Sequence, residues 1–365
     1  MTNLSDETQG SEAAERRSRL LGVKLRALVS GHLGREIVEE TTGFPNGAAV
    51  LVGQEAWVLA DGEASRSLGG ALSWAVRQSA TSLNLIAGSD TGLLARRADR
   101  FRFPIAVWVP EERQLLPAVA APFPDLPSML TDHLDLRTVI EAAGATVNTE
   151  HGVVFGEVRG LEVCRVVDQP TVGLFAELGD ISSEPSAPLL DAVDATDALE
   201  RRKHEGVRLE VGVGANDREA FQLLHGDIPT VEALRGVVEA VEKHRAVAAR
   251  QHPLNRLGQE RFLRWRLEQD PGLIGMSELV PAESPVPRPN LKDPVPCVAR
   301  AQSDVAVAMV VCSTGIDLDL IPFAADVQAM YNDPVIVVTR ERDLVPITRD
   351  VAGLLSTSVE LRSVG

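Results

Sequence analysis

The sequence predicts a mixed α/β and α+β protein, in which strand–helix alternating units at the two ends flank a middle antiparallel meander with helices. Three observations support this fold class. Short apolar runs alternate with segments of helical period between about residues 48 and 120. The same alternation returns after residue 297. Between these stretches, residues 152–168 contain two strand-like runs that turn at Arg159-Gly160, and residues 208–214 add a third.

The N-terminal α/β unit is predicted to span residues 18–122, after a loose, polar tail over residues 1–17 that lacks the apolar core of a signal peptide. One or two short helices over Ser18–Glu40 come first, followed by a hairpin or two strands over residues 48–61. The remaining elements alternate in type: a helix over 67–80, a strand over 83–88, a helix over 91–101 and a strand over 104–110. This order is typical of a parallel sheet covered by helices.

A middle α+β region is predicted for residues 123–280, beyond a proline-rich boundary at residues 120–128. It contains a helix that ends at Gly144, the three strands of the meander, and a layer of three helices. These helices are predicted over residues 217–226, 230–251 and 257–270. The insert over residues 169–206 is rich in Pro, Ser, Asp and Glu, and we expect a solvated loop there.

A C-terminal α/β unit is predicted for residues 297–365, after an extended, proline-rich linker over residues 281–296. It completes the first sheet or packs on it. The segments 108–120 and 337–349 both place a charged turn and a proline step after a strand; chance similarity in an Ala/Val-rich chain explains this best, and internal duplication is the alternative.

The bulk composition favours a soluble cytoplasmic protein. The formal net charge of −16 disfavours non-specific binding to nucleic acid or an anionic membrane, although a local arginine patch leaves nucleic acid open as a partner. The longest apolar run is too short for a membrane helix. Three widely spaced cysteines, Cys164, Cys297 and Cys312, argue against a disulfide framework and for a reducing compartment.

Three carboxylates are the candidate catalytic residues. Asp61, Glu162 and Glu210 lie at strand ends or within strands, and together they would supply the hard oxygen ligands that Mg²⁺ or Mn²⁺ requires. This arrangement would indicate a nuclease-like, metal-dependent enzyme. The strands carry no suitable lysine beside these carboxylates, which counts against catalysis, and strand glutamates that simply face water are the alternative.

An arginine-rich segment, residues 250–266, is the candidate anion-binding site. Its predicted phosphate contacts are Arg256, Arg261, Arg264 and Arg266. Arginine also pairs readily with carboxylates, so an internal salt-bridged face is the alternative.

Two further positions are candidate ligand contacts. Gly212 and Gly214 form a G-x-G step after a strand, where backbone N–H groups could approach a phosphate, although a tight turn with a helix cap at Asn216 explains the same residues. Asp317 and Asp319 follow a buried strand, at the carboxyl end where parallel sheets bind ligands; helix capping is the alternative.

Two functions remain compatible with the sequence. The first is a non-catalytic interaction or ligand-binding protein, whose acidic surface and 169–206 insert engage a protein partner. The second is the nuclease-like or phosphate-binding enzyme. The missing lysine and the charge of −16 favour the first. The sequence indicates neither the substrate nor the oligomeric state.

Overall fold

The computed structural model describes residues 4–112, 114–128, 131–168, 207–214, 217–220, 230–246, 252–287 and 295–365. The chain forms two compact units. The first comprises Met1–Pro124, Asp270–Val280 and Pro296–Gly365, and the second comprises Asp125–Gln269 and Pro281–Val295. Helices and strands are mixed in the chain, which confirms the α/β fold class.

The first unit begins with helix α1 (Leu4–Leu33) and a six-stranded sheet. Its strands are β1 (Thr42–Phe44), β2 (Gly47–Val52), β3 (Glu55–Ala60), β4 (Ser82–Ala87), β5 (Ile105–Glu111) and β6 (Gln114–Pro117), hydrogen-bonded in chain order. The hairpin β2–β3 is antiparallel, as predicted for residues 48–61, and β3, β4 and β5 are parallel. Helices α2 (Leu68–Arg77) and α3 (Thr91–Ala98) connect the parallel strands.

Both faces of this first sheet are covered. Leu25 and Val29 of α1 pack against Val50 and Trp57 on one face. On the other face, Leu72 of α2 and its neighbours bury the opposite side chains of the strands. Because both faces are apolar, the strands are near-continuous hydrophobic runs, as is typical of parallel sheets.

The second unit is an antiparallel meander with helices. It contains α4 (Thr131–Leu134), α5 (Arg137–Ala142), β7 (Thr146–Glu150), β8 (Val153–Val158), β9 (Leu161–Asp168), β10 (Val207–Val211), α6 (Thr230–His244) and α7 (Gln259–Gln269). The strands pair in the order β10-β9-β8-β7. Arg159 and Gly160 turn the β8–β9 hairpin with φ of 49° and 74°. Helices α5 and α6 contact one face of the meander, around Ile140, Leu234 and Val238.

The first unit also contains a second sheet, of five strands. Its members are β11 (Glu278–Ala282), β12 (Cys297–Gln302), β13 (Val307–Cys312), β14 (Val335–Arg340) and β15 (Glu360–Val364), again in chain order. The pair β12–β13 is an antiparallel hairpin, whereas β13, β14 and β15 are parallel. Helices α8 (Leu320–Tyr331) and α9 (Pro346–Ala352) connect the parallel strands.

The two sheets of the first unit therefore repeat one connection pattern: hairpin, helix, parallel strand, helix, parallel strand. Helix α2 corresponds to α8, and α3 corresponds to α9. The contacts between the halves have the same symmetry: α2 contacts α9, and the equivalent pair α8 and α3 is also in contact. The equivalent helices α2 and α8 contact each other as well. One apolar cluster includes Leu72, Leu94, Ile321 and Val351, one from each of the four helices. The arrangement is typical of an internal duplication.

A buried ion cluster joins the same two halves. Asp326 of α8 is fully buried and accepts hydrogen bonds from Arg96 and Arg97 of α3, with the shortest distance, 2.8 Å, from Arg97 Nε to Asp326 Oδ2. Arg97 also donates to the carbonyl of Ser65, and Arg96 to the carbonyls of Ala121 and Pro122. The two guanidinium groups thus reach backbone carbonyls as well as the one carboxylate.

Several details differ from the sequence-based prediction. The first helix begins at Leu4, whereas residues 1–17 were predicted as a tail. The meander has a fourth strand, β7, that was not predicted. The N- and C-terminal alternating stretches belong to one unit but build separate sheets, which pack through their helices. The similar segments 108–120 and 337–349 fall on β5–β6 and β14–α9, which are not equivalent in the repeated pattern.

The predicted insert over residues 169–206 lies outside the described residues, as do residues 288–294 of the predicted linker. Among the helices of the described ranges, none combines the length and apolarity needed to cross a bilayer.

Candidate functional site

A cleft of about 330 Å³ opens in the first unit, where the hairpins β2–β3 and β12–β13 lead into α2 and α8. Its wall comes from the β1–β2 turn, the β3–α2 connection and the loop before α8. The lining residues are Phe44, Pro45, Asn46, Ala60, Asp61, Glu63, Arg66, Ser67, Gly70, Asp317, Leu318 and Asp319. The cleft therefore lies at the carboxyl end of β3, at the start of α2 and beside the start of α8, the position at which open α/β sheets bind ligands.

Beside the cleft, the start of α2 packs closely against the loop before α8. A Cβ on Gly69 would lie 1.9 Å from the carbonyl oxygen of Leu318, so a residue with a side chain cannot occupy this position without moving the backbone. The amide of Gly69 donates to Asp319 Oδ1 over 2.9 Å. Asp319 is the residue before α8, and its carboxylate thus caps the other helix, α2.

The cleft is strongly acidic. Four carboxylates line it, Asp61, Glu63, Asp317 and Asp319, against the single guanidinium of Arg66. Arg66 pairs with Asp317 at 2.9 Å. Asp61 is paired from α1, with Arg17 at 3.0 Å and Lys24 at 3.6 Å, and these three side chains are 31–63% exposed.

Asp317 has one oxygen that is satisfied and one that is not. Its Oδ1 pairs with Arg66 and accepts the amide N–H of Asp319 over 3.0 Å. Its Oδ2 is buried and has no hydrogen-bond partner among the described residues, and the side chain as a whole is 8% exposed. Buried polar atoms in folded proteins almost always have a partner, and Asp317 is one of the residues that line the cleft.

The surroundings of Asp319 disfavour its ionised form. Burial raises the pKa of Asp319 to about 6, and the neighbouring charge of Asp317 adds to the increase. The amide of Gly69, Arg97 and Arg66 act in the opposite direction. Asp319 therefore keeps its proton up to about pH 6 in the folded chain.

Replacing Asp319 with asparagine is expected to stabilise the first unit above pH 6. Between its ordinary pKa of 3.8 and about 6, Asp319 is ionised in the unfolded chain but protonated in the folded one. The folded state then binds more protons, so the free energy of unfolding falls as pH rises through this window. The shift of about two pKa units corresponds to about 2–3 kcal/mol above pH 6. Asparagine keeps an acceptor for the Gly69 amide without this penalty.

Amide hydrogen exchange in α2 and α8 of the full chain measures the effect. Asp319→Asn should slow exchange relative to the unmodified chain at pH 8, after correction for the intrinsic rate, and should make little difference at pH 4. Equal protection at both pH values would contradict the charge penalty.

The structure brings together three of the residues that the sequence singled out. Asp317 and Asp319, predicted as ligand contacts, line the cleft with Asp61, which was predicted for a different site. Asp61 belongs to the first unit, whereas its predicted partners Glu162 and Glu210 belong to the second.

Glu162 and Glu210 are neighbours, but an arginine lies between them. Glu162 Oε1 is 3.1 Å from Arg218 Nη1, and Glu210 Oε2 is 3.6 Å from Arg218 Nε. Arg165 and Arg208 pair with Glu162 and Glu210 from their own strands. Among the residues that the structure describes, no group of three or more His, Cys, Asp or Glu side chains is placed to hold a metal ion.

The arginines of α7 also face carboxylates. Arg261 and Arg264 are buried against the meander, where Arg261 pairs with Glu150 and both approach Glu157. Burial alone would lower the pKa of Arg261, but the charges of Glu157, Glu150 and Glu162 together raise it. This geometry favours the internal salt-bridged face over a phosphate site. Of the other predicted contacts, Arg256 is exposed and Arg266 is half-buried.

Glu157 and Glu162 are buried. The alternative that strand glutamates simply face water is therefore wrong for these two residues. They lie directly opposite each other across the β8–β9 pair, where two like charges repel. Arg261 lies 3.1 Å from Glu157 and 3.8 Å from Glu162, which offsets this repulsion. The helix α7 thus covers the face of the meander that the sequence left open to solvent.

The G-x-G step forms a tight turn. Gly212 has φ of 138°, and a Cβ there would lie 2.9 Å from the amide nitrogen of Arg218. Gly214 has φ of 85°, and the carboxylate of Asp217 accepts the amide of Val213 over 2.9 Å. That carboxylate occupies the place where an anion would bind. The predicted cap Asn216 lies outside the described residues.

Sequence reasoning missed Glu63, Arg66 and Phe44 as members of the cleft. The signal for Glu63 and Arg66 was present, because the segment from Asp61 to Ser67 follows β3 as the segment around Asp317 follows β13. Applying the strand-end rule to both hairpins would have selected them. Phe44 belongs to a short strand that carries no comparable signal.

Comparison of the chain with protein-family models, with curated proteins and with solved structures finds no match. The arguments about function therefore rest on the geometry of the chain itself.

Proposed function

We propose that the protein is a non-catalytic binding protein, whose acidic cleft in the first unit accepts the positively charged group of a ligand. The observation that carries this proposal is Asp317, a lining residue of the cleft whose buried Oδ2 has no hydrogen-bond partner among the described residues. An ammonium or guanidinium group would supply the missing donor and charge together.

The charge balance of the wall supports a cation. The four lining carboxylates outnumber the three cations that pair with them, Arg66, Arg17 and Lys24, and Asp319 is ionised above about pH 6 at a cost to stability. A cation in the cleft would relieve both the repulsion between Asp317 and Asp319 and the missing contact of Asp317. Binding would thus stabilise the folded state by offsetting this electrostatic repulsion.

The apolar part of the wall supports an organic ligand. Phe44, Pro45 and Leu318 lie on the same cleft as the carboxylates, and an aromatic face is a favourable neighbour for an organic cation. Among its lining residues, the cleft has neither histidine nor cysteine, the side chains that most often serve as general base or nucleophile. Recognition alone accounts for the residues present.

The ligand class that fits is a primary amine or guanidine, either as a small molecule or as the lysine or arginine side chain of a protein partner. Both present the same charged donor group. A net charge of −16 would steer either towards the protein. The predicted contribution of the 169–206 insert to partner binding remains a separate proposal, because those residues lie outside the described ranges.

Isothermal titration of the full chain with methylammonium, guanidinium, Nα-acetyl-lysine amide and a lysine-rich peptide tests the proposal, at constant ionic strength. At least one of these cations should bind, and Asp317→Asn should weaken that binding by at least about tenfold, which corresponds to about 1.4 kcal/mol. If only the peptide binds, the partner is a protein; if the small amines bind equally well, the ligand is a metabolite.

The matched control is Asp333→Asn. Asp333 is another aspartate of the first unit, but it pairs loosely with exposed Arg300, at 3.9 Å. This variant should bind the same cation with unchanged affinity. Failure of all four probes, or equal weakening in both variants, would refute the cationic ligand. Tight binding of Mg²⁺ or Mn²⁺ that Asp317→Asn abolishes would instead identify the cleft as a metal site and refute the organic ligand.

A further inference from the structure

Two of the three cysteines face each other across a strand pair. In the register of β12 and β13, Cys297 lies directly opposite Cys312. Both side chains are buried, and neither belongs to a disulfide. Their separation in sequence gave no indication of this pairing, because it depends on the hairpin between them.

The spacing of an antiparallel pair suits a disulfide. Residues directly opposite each other point their side chains to the same face, with Cα atoms about 4.5 or 5.5 Å apart according to the hydrogen-bonding pattern. A disulfide requires Cα atoms about 4.4–6.8 Å apart. Either type of pair therefore meets the requirement without movement of the strands along each other.

The position in the hairpin gives a disulfide a large effect. Cys297 is the first residue of β12 and Cys312 the last of β13, so the pair closes the end of the ladder farthest from the turn at Ser303–Ala306. A covalent link at this end would enclose the whole hairpin, residues 298–311, in one loop.

The third cysteine has no such neighbour. Cys164 lies in β9 opposite Val211 on one side and Gly156 on the other. Burial raises the pKa of its thiol to about 12, so almost no thiolate forms there at neutral pH. It serves as an internal control.

We propose that Cys297 and Cys312 form a reversible disulfide that closes the β12–β13 hairpin when the protein meets an oxidised dithiol or glutathione disulfide. The thiolate of one cysteine attacks the S–S bond of the oxidant and releases one thiol. The second thiolate attacks the resulting mixed disulfide and releases the other thiol, so two protein thiols are oxidised while one disulfide is reduced. This inference is independent of the proposed ligand cleft.

Refolding of the full chain in a buffer of reduced and oxidised glutathione tests the pairing at equilibrium, so slow access to the buried thiols does not affect the result. After acid quenching and alkylation, tryptic peptides 293–300, 301–340 and 160–165 carry Cys297, Cys312 and Cys164 respectively. The disulfide-linked pair of peptides 293–300 and 301–340 should be at least about tenfold more abundant than a disulfide from either peptide to 160–165. The reason is that the fold places the thiols of Cys297 and Cys312 together.

Two variants and one further measurement complete the test. Cys312→Ser should leave Cys297 as a thiol or a glutathione adduct, without increasing its pairing with Cys164, and Cys164→Ser should leave the expected link intact. The oxidised unmodified chain should melt at a higher temperature than the reduced chain, and Cys312→Ser should lose this shift. Random pairing of the three cysteines would overturn the proposal. So would a refolded chain without the Cys297–Cys312 disulfide, in a buffer in which the denatured chain forms it.

Discussion

Replacing Glu157 with alanine is expected to lower the free energy of unfolding of the second unit by about 3–5 kcal/mol. Glu157 is buried, and its Oε2 accepts hydrogen bonds from Arg264 over 2.6 Å and from Asn148 over 2.7 Å. Its Oε1 lies 3.1 Å from Arg261 Nη1, an ion pair that lacks hydrogen-bond geometry. Without Glu157, two buried guanidinium groups lose their shared counter-ion.

Other carboxylates moderate this loss without replacing Glu157. Arg261 retains Glu150, and Arg264 retains Glu268. Burial raises the pKa of Glu268, although the charge of Arg264 opposes the increase, so Glu268 is itself a costly anion to keep. Each arginine therefore keeps one carboxylate, and the loss comes from the second charge and the buried hydrogen bonds that Glu157 supplies.

Hydrogen exchange of peptides from β8, β9 and α7 in the full chain measures the change, because a chain with two units need not unfold in one step. The control is Glu141→Ala in the same unit. Glu141 pairs with Arg137 on the exposed face of α5, where both side chains are more than half exposed, and such a pair contributes little. Glu157→Ala should also bind the cation of the cleft normally. Similar, small effects of the two variants would mean that Glu157 is dispensable.

The sequence predicted those parts of the fold whose signals are local. The hairpin over residues 48–61 and the turn at Arg159-Gly160 follow from apolar runs and from residues that tolerate positive φ. Strand β7 was missed because Thr146–Glu150 carries only one apolar residue. Hydrogen bonding to β8 stabilises this strand despite its polar composition, and strand pairing cannot be recognised from a local pattern.

The face of the meander illustrates a second limit. Glu157 and Glu162 lie opposite each other on one face of the sheet, but the sequence does not state what covers that face. The covering helix α7 lies about 100 residues later in the chain, and its arginines are compatible with phosphate, solvent or carboxylates. Only the tertiary structure distinguishes an exposed basic patch from a buried ionic one.

The candidate cleft could be predicted in part. The rule that parallel sheets bind ligands at the carboxyl ends of their strands selected Asp317 and Asp319. It did not connect them with Asp61, about 250 residues earlier, because that connection depends on how the two halves of the first unit meet. The sequence similarity that suggested duplication aligned β5 with β14, whereas the structure makes β4 the counterpart of β14.

Replacing Asp326 with alanine is expected to destabilise the first unit by about 3–5 kcal/mol. Asp326 is the shared counter-ion of Arg96 and Arg97, whose side chains are 7% and 3% exposed. The hydrogen bonds of these arginines to backbone carbonyls would remain, but carbonyls do not neutralise two buried charges. Because the three residues join α3 to α8, the loss should appear on both sides of the interface between the two halves.

Exchange in α3 and α8 of the full chain should therefore increase in Asp326→Ala, whereas β8 and β9 of the second unit should be unaffected. Asp333→Ala, next to the end of the same helix, should change exchange little, because Asp333 and Arg300 form only an exposed, 3.9 Å pair. A double variant, Asp326→Leu with Arg97→Met, should recover part of the loss, since it removes one buried cation together with the anion. If the double variant lost more free energy of unfolding than its two single variants lose together, the pair would be acting through packing and not through charge.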